Sequence, residues 1–151
     1  MQTSIKKIIL ATDFSDTSKE ASHYALLLAT VLNAELNALH VFDLGAWKSP
    51  SHYYLTTEGY RLAESQDEIR QRGKDALNKL AESIDLEVET IFTEGDPGHE
   101  IISVADELNA DLIILGTHGY SGWKRFAIGS VAEFVTKHAP CAVLTIRPKG
   151  K

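Results

Sequence analysis

The sequence predicts an α/β protein, a single doubly wound domain in which helices cover both faces of a parallel sheet. Short apolar segments typical of buried strands alternate with segments of helical periodicity, in the order β-α-β-α-β-α-β-α-β. A chain of 151 residues favours one domain, here residues 1–151. Because helical crossovers between parallel strands are right-handed, the alternation predicts a doubly wound, five-stranded sheet with four helices.

The first predicted strand and helix cover residues 6–12 and 17–32. The strand, KKIILAT, is a short apolar run of the kind that parallel sheets bury. The helix is indicated by large apolar residues that share one face at helical spacing, and several polar residues could cap its N-terminus. The apolar residues are Tyr24, Leu27, Leu28, Val31 and Leu32, and the candidate caps are Ser15, Asp16 and Thr17.

The second predicted strand, residues 35–42, leads into a long loop insertion at residues 43–60. Its glycines, proline, serines and threonines break regular structure, yet it is also rich in aromatic residues: Trp47, Tyr53, Tyr54 and Tyr60. A loop of this length in a compact domain is usually functional or mobile. The charged stretch at residues 61–84 then predicts a surface helix that turns a few apolar residues inward: Ile69, Leu77, Leu80 and Ile84.

The last five elements are shorter and alternate regularly. Residues 86–93 alternate apolar and polar side chains, as a half-exposed strand does. After the loop GDPG, the predictions are a helix at 99–109, a strand at 111–115, a helix at 130–138 and a strand at 141–147, which Pro148 ends.

Composition excludes several classes of protein. The net charge of −6 disfavours binding to DNA or RNA, because a phosphate polymer is repelled by that average field. No apolar run approaches the roughly 20 residues that cross a bilayer, so we expect no membrane partner and a cytoplasmic location. Cys141 is the only cysteine, which fits a reducing compartment and a small core residue.

Two segments could carry chemistry. Asp13 closes the first strand, and a glycine-rich loop, GTHGYSGWKRFAIGS at 116–130, leaves the fourth. Glycines let backbone N–H groups approach a phosphate, and the helix after Gly129 presents further N–H donors beside the Ser130 hydroxyl. In the loop, Lys124 and Arg125 could neutralise phosphate charge. If the first and fourth strands are neighbours, both segments line one crevice, where doubly wound sheets bind ligands.

Each of these residues also has a purely structural interpretation. Asp13 could simply precede or cap the first helix, and the glycines could form only a tight turn. His118 could face a ligand or be an ordinary exposed loop residue. The chain lacks the P-loop motif and a GxGxxG after the first strand. Its six histidines show no metal-binding spacing, which argues against a zinc site, and the residues that would hold any other metal are left open.

The residues resemble those of the universal stress protein family, in its ATP-binding branch. Gly116, Gly119 and Gly129 followed by Ser130 are similar to the family loop G-2x-G-9x-G-(S/T), and ATDFS at 11–15 is similar to its N-terminal motif. GDP at 95–97 and the segment 129–146 also resemble family signatures, although Ala142 stands where many members have proline. The resemblance covers nearly the whole chain and implies an adenine nucleotide alpha hydrolase-like fold with strand order 3-2-1-4-5.

The resemblance also implies a nucleotide site and a dimer. It places Asp13 beside the nucleoside, the backbone of Val41 on adenine, and the loop around ribose and phosphates. With the basic pair of the loop and the residues next to these positions added, the predicted nucleotide-binding set is Ala11, Thr12, Asp13, Val41, Gly116, Thr117, His118, Gly119, Lys124, Arg125, Gly129, Ser130 and Val131. Members commonly form homodimers through the last strand, here residues 141–146.

The leading functional hypothesis is therefore a regulatory protein that binds ATP, or alternatively AMP or ADP, with Mg²⁺ as a candidate companion ion. No Walker-type lysine or positioned base drives fast phosphoryl transfer, so any ATPase activity should be slow. Two alternatives stay open: a slow ATPase, and a ligand-free protein-interaction module that uses the aromatic loop. A phospho-acceptor receiver domain is disfavoured because the third strand ends in Thr93-Glu94 rather than in an aspartate.

Overall fold

The computed structural model describes residues 3–45, 66–118 and 128–149. Strands and helices alternate along these residues as β1 (Lys7–Ala11), α1 (Asp16–Leu32), β2 (Glu35–Asp43), α2 (Gln66–Ser83), β3 (Val88–Gly95), α3 (Pro97–Glu107), β4 (Leu112–Gly116), α4 (Ser130–His138) and β5 (Ala142–Ile146). The strands form one parallel sheet in the order β3-β2-β1-β4-β5. The predicted fold class and the strand order implied by the resemblance are both confirmed.

The sheet is buried because each central strand has apolar side chains on both faces. In β1, Ile8 and Leu10 pack into a core with α1, whereas Ile9 and Ala11 pack on the opposite face with α3 and α4. Ile8, Ile9 and Leu10 have no exposed surface. Burying each such side chain stabilises the fold by about 1.5–3 kcal/mol, so β1 anchors both layers.

Helix α1 packs on the sheet through small residues. Ala21, Ala25 and Ala29, at i, i+4 and i+8, are buried, so the helix approaches the strands closely. The large apolar residues that mark this helix in the sequence lie mostly outside: Leu27 is 56% exposed and Val31 is 71% exposed. The helix itself is confirmed, and its core-facing side is the alanine side.

The other predicted elements agree with the structure to within a few residues at their ends. Leu77 on α2 is buried, as are Ile101 and Val104 on α3. Asp96 caps α3 by accepting a hydrogen bond from the backbone N–H of His99 at 3.1 Å. Residues 46–65, with the four aromatic residues of the predicted loop and the predicted start of the second helix, lie outside the described residues.

The last strand, β5, lies at an edge of the sheet and pairs only with β4 among the described strands. Cys141, just before it, packs partly buried against the core, and burial raises the pKa of its thiol. Across the described ranges we find no helix with both the length and the apolarity that a membrane span requires.

Candidate functional site

The candidate site lies where the strand order of the sheet reverses, between β1 and β4. The chain leaves β1 toward β2 on one side, and β4 pairs with β1 on the other, with Ile8, Ile9 and Leu10 opposite Leu112, Ile113 and Ile114. Parallel neighbours end at the same edge, so the segments after β1 and β4 emerge side by side. The neighbouring position of β1 and β4, on which the predicted crevice depends, is therefore confirmed, and the ligand site itself stays a prediction.

After β1, Asp13 is held by the first turn of α1. Its Oδ1 accepts hydrogen bonds from the Ser18 hydroxyl at 2.6 Å and from the backbone N–H of Ser15 at 3.0 Å. Ser15 is the N-cap of α1, and its hydroxyl accepts from the N–H of Ser18. The structural interpretation of Asp13 thus holds for Oδ1, whereas Oδ2 has no hydrogen-bond partner within the part of the chain that the structure describes.

Ala11 and Thr12 are the two residues that connect β1 to Asp13. Ala11 closes β1 opposite Leu39 and packs into the core, and the N–H of Thr12 continues the ladder by donating to the Leu39 carbonyl at 2.9 Å. Val41 lies two residues beyond Leu39 on β2, and Asp13 lies two residues beyond Ala11, the register partner of Leu39. The predicted contacts on this side of the crevice therefore share one edge of the sheet.

After β4, Gly116 brings the chain close to α1. A Cβ at this position would lie 2.7 Å from Cγ2 of Thr17, which is nearer than carbon atoms approach without contact strain. Thr17 lies in the first turn of α1 and is itself buried. A glycine at the end of β4 is what lets the two sides of the crevice meet.

Thr117 connects three elements at this edge. Its N–H donates to the Ile146 carbonyl at 2.9 Å, which ties it to β5, and its carbonyl accepts from the N–H of Gly129 at 2.6 Å. A Cβ on Gly129 would lie 2.8 Å from that carbonyl oxygen, so this contact requires glycine. These bonds hold the start of α4 against the end of β4.

The side chains of Thr117 and His118 are part of this turn. Both are buried, with 2% and 8% exposure, and the Thr117 hydroxyl shares a hydrogen bond of 2.7 Å with Nδ1 of His118. The expectation that His118 is an ordinary exposed loop residue is therefore wrong, because the ring packs back against the turn. Their predicted contact with a nucleotide stays a prediction.

The N-terminus of α4 carries unused donors. Its N-cap, Gly129, makes no side-chain capping bond, and the first bond of the helix runs from the N–H of Glu133 to the Gly129 carbonyl at 2.9 Å. The N–H groups of Ser130, Val131 and Ala132 consequently take no part in the helical ladder. Together with the exposed Ser130 hydroxyl, they form a group of donors that suits an anion.

Part of the predicted site lies outside the described residues. Gly119, Lys124 and Arg125 fall in residues 119–127, so their predicted roles stay predictions. No group of three or more metal-binding side chains occurs within residues 3–45, 66–118 and 128–149.

Sequence reasoning missed one residue at this edge, His40. Its Nδ1 lies 2.8 Å from the Thr12 carbonyl, and its ring centroid lies 4.5 Å from that of Phe14. Burial lowers the pKa of His40 below 6.5, against the opposing effects of the Thr12 hydrogen bond and the negative charge of Asp13. A lone polar ring within the apolar run ALHVF was the signal available in the sequence.

The sequence profile of the Universal stress protein family matches residues 4–147. The chain belongs to the universal stress protein family. Among its relatives, universal stress protein MJ0531 of Methanocaldococcus jannaschii is 37% identical in an alignment of 149 positions that covers 97% of this chain and 84% of that protein. The family resemblance read from the motifs is thus confirmed.

Solved structures agree with this assignment. Protein MJ0577, also from Methanocaldococcus jannaschii, superposes with a TM-score of 0.81 at 28% identity, covering 99% of this chain and 100% of that one. A universal stress protein solved in complex with cAMP superposes with a TM-score of 0.65 at 25% identity, covering 97% of this chain and 100% of that one. A protein of this family and fold therefore binds an adenine nucleotide.

Proposed function

We propose that this universal stress protein is a regulatory protein that binds ATP in the crevice between β1 and β4. The observation that carries the proposal is the parallel pairing of these strands, which sets Asp13 and the uncapped N-terminus of α4 at one edge of the sheet. A carboxylate and a cluster of backbone N–H donors recognise the two chemically different ends of a nucleotide, the ribose hydroxyls and the phosphates. A relative with the same fold in complex with cAMP supports this ligand class.

The roles of the residues follow from their chemistry. Oδ2 of Asp13 accepts a hydrogen bond from a ribose hydroxyl, while Oδ1 stays bonded to Ser15 and Ser18. The backbone of Val41 contacts the base, and Gly116 and the glycines of the loop let the chain approach the sugar and phosphates. The remaining nucleotide contacts are those of Ala11, Thr12, Thr117, His118, Gly119, Lys124, Arg125, Gly129, Ser130 and Val131.

The residues at the α4 N-terminus fit a phosphate on physical grounds. The N–H groups of Ser130, Val131 and Ala132 lie at the positive end of the helix dipole, and the N-cap residue, Gly129, has no side chain to cap them. The cradle at Gly129 has no room for a Cβ, because the Thr117 carbonyl lies 2.8 Å from that position. Mg²⁺ could accompany the phosphates, with AMP and ADP as alternative ligands.

Binding can be tested with two substitutions that spare the fold. Asp13→Asn keeps an oxygen at Oδ1 for Ser15 and Ser18 and replaces the ribose acceptor by an amide, and Ser130→Ala removes only the exposed hydroxyl. Each should weaken ATP binding roughly 10- to 150-fold, the effect of losing one hydrogen bond to a charged group. Ser103→Ala, on the exposed side of α3, is the matched control and should leave affinity unchanged.

The measurement is calorimetric titration of the purified protein with ATP, ADP, AMP and FMN, after mass spectrometry of any nucleotide that copurifies. Binding of none of them would refute the proposal and leave the protein-interaction module as the better hypothesis. Fast turnover of ATP in the same samples would instead support an enzyme. Gly129 substitutions are less informative, because they also break the turn at Thr117.

A nucleotide switch needs two states with different affinity for the ligand, and a homodimer through residues 141–146 would supply them. The edge position of β5 among the described strands supports such pairing, since an apolar edge strand left open is a pairing hazard. Light scattering coupled to gel filtration, with and without ATP, tests this. A monomer at every concentration and ligand state would contradict it.

A further inference from the structure

His40 lies on β2, directly under the loop that carries Asp13. Its Nδ1 is 2.8 Å from the carbonyl oxygen of Thr12. A carbonyl can only accept, so Nδ1 carries the proton and His40 donates to Thr12. This bond joins the side chain of one strand to the backbone at the point where the neighbouring strand ends.

The ring of His40 is enclosed by aromatic neighbours and by α2. Phe14 packs on it at 4.5 Å between centroids and Phe92 at 5.8 Å. On α2, a Cβ at Gly73 would lie 3.1 Å from Phe92 and 3.4 Å from Cδ2 of His40. The backbone of α2 therefore lies against the ring, which fixes the ring plane and the direction of the Nδ1–H bond.

The loop above the ring has a conformation that needs such support. Phe14 has φ of 65°, in the left-handed region that bulky residues rarely adopt. Strained positions of this kind persist only where surrounding contacts over-determine them. Here the contacts are the ring of His40, its bond to Thr12, and the bond from the Phe14 N–H to the Thr12 hydroxyl at 3.0 Å.

We propose that His40 is a positioning residue for the nucleotide site: its Nδ1–H holds the Thr12 carbonyl, and through it sets the place of the Asp13 carboxylate. This inference rests on the proposed ATP site. His40 itself lies behind the loop and acts on the ligand through Asp13. It therefore extends the site to a residue that lies outside the family motifs quoted from the sequence.

Two substitutions separate the hydrogen bond from the packing. His40→Asn keeps a donor near the position of Nδ1 but removes the ring, whereas His40→Phe keeps a ring and removes the donor. If the bond positions Asp13, the Asn variant should bind ATP within about twofold of the unmodified protein, and the Phe variant should lose about five- to tenfold. Thermal stability should rank the other way, because the Asn variant loses the buried ring.

If His40 only stabilised the fold, ATP affinity and thermal stability would rank the Asn and Phe variants in the same order. The inference predicts opposite orders. If ATP affinity instead follows thermal stability, or if His40→Phe binds as tightly as the unmodified protein, the inference is wrong. Failure of the unmodified protein to bind any adenine nucleotide would instead refute the proposed function. His138→Asn, on the exposed end of α4, is the control for loss of a histidine and should leave ATP affinity unchanged.

A spectroscopic measurement tests the same bond in the unliganded protein. The ¹⁵N spectrum of the imidazole should show the His40 proton on Nδ1 at neutral pH. His40→Gln, whose amide extends toward the position of Nε2, should lose affinity like the Phe variant and serves in its place if that variant does not fold. A proton on Nε2 alone, or full affinity in the Gln variant, would overturn the inference.

Discussion

Gly116→Ala tests the close approach between β4 and α1 on which the crevice depends. The new Cβ would lie 2.7 Å from Cγ2 of Thr17, 3.1 Å from its Cβ and 3.3 Å from its backbone carbonyl carbon. Carbon atoms pack best at about 3.5–4.0 Å, so the overlap is roughly 1 Å. Thr17 is buried and β-branched, so its side chain has little freedom to turn away and the helix itself must shift.

Overpacking of this kind costs about 1–3 kcal/mol of unfolding free energy. For a domain of this size the melting temperature falls by about 2–4 °C per kcal/mol. Urea unfolding followed by circular dichroism gives the loss directly as a shift in midpoint. ATP affinity should fall as well, because Asp13 and the first turn of α1 move away from the end of β4.

Thr17→Ser is the matched partner because it removes only the atom that Gly116→Ala would strike. Alone it should cost about 1 kcal/mol for the lost buried methyl group. In the double variant it should recover stability, with a coupling free energy of about 1 kcal/mol or more. An unchanged midpoint for Gly116→Ala, or strictly additive effects in the double variant, would refute the packing argument.

Three further predictions concern stability. Val31→Ala should change the unfolding free energy by no more than about 0.5 kcal/mol, because Val31 is exposed. Ala25→Leu should lower it by about 1–3 kcal/mol, because Ala25 is buried and the larger side chain overpacks the core. Equal losses in urea unfolding would contradict the orientation of α1. Asp96→Ala should cost about 0.5–2 kcal/mol, seen as a lower melting temperature, because it removes the N-cap of α3. Burial lowers the pKa of His40 in the folded protein, so the unfolded chain binds the proton more readily below pH 6.5. The unfolding free energy should therefore fall as pH drops from 6.5 through the folded pKa of His40. Melting curves of His40→Asn should lack this pH-dependent loss. The charges of Asp13 and of Lys74, which lies over Phe92, are the same in both proteins.

The fold was predictable because its signals are local and repeated. Four strands of the sheet appear as short apolar runs, the third appears as an alternating segment, and each helix appears as a separate periodic segment. Chain order predicted a doubly wound sheet, and the family resemblance added the strand order 3-2-1-4-5, which makes strands one and four neighbours. Gly116 and Gly129 were also visible, because close backbone approach leaves a requirement for glycine that the sequence records directly.

Other features could not be read from periodicity. The stripe of large apolar residues on α1 suggested one face, yet the face against the sheet is the one with Ala21, Ala25 and Ala29. Hydrophobicity alone ranks leucine above alanine, whereas the distance between the helix and the sheet decides which of them fits. The support that His40 gives to the Thr12 carbonyl joins residues 28 positions apart, and no local pattern carries that contact.

By itself, the sequence determined the order of the elements and the family, because periodicity and motif spacing are written along the chain. Only the tertiary structure decided which side of α1 meets the sheet, that Oδ1 of Asp13 is already bonded to Ser15 and Ser18, and that His40 holds the loop from beneath. Those outcomes depend on distances between segments far apart in the chain, and such distances are set only when both layers pack on the sheet together.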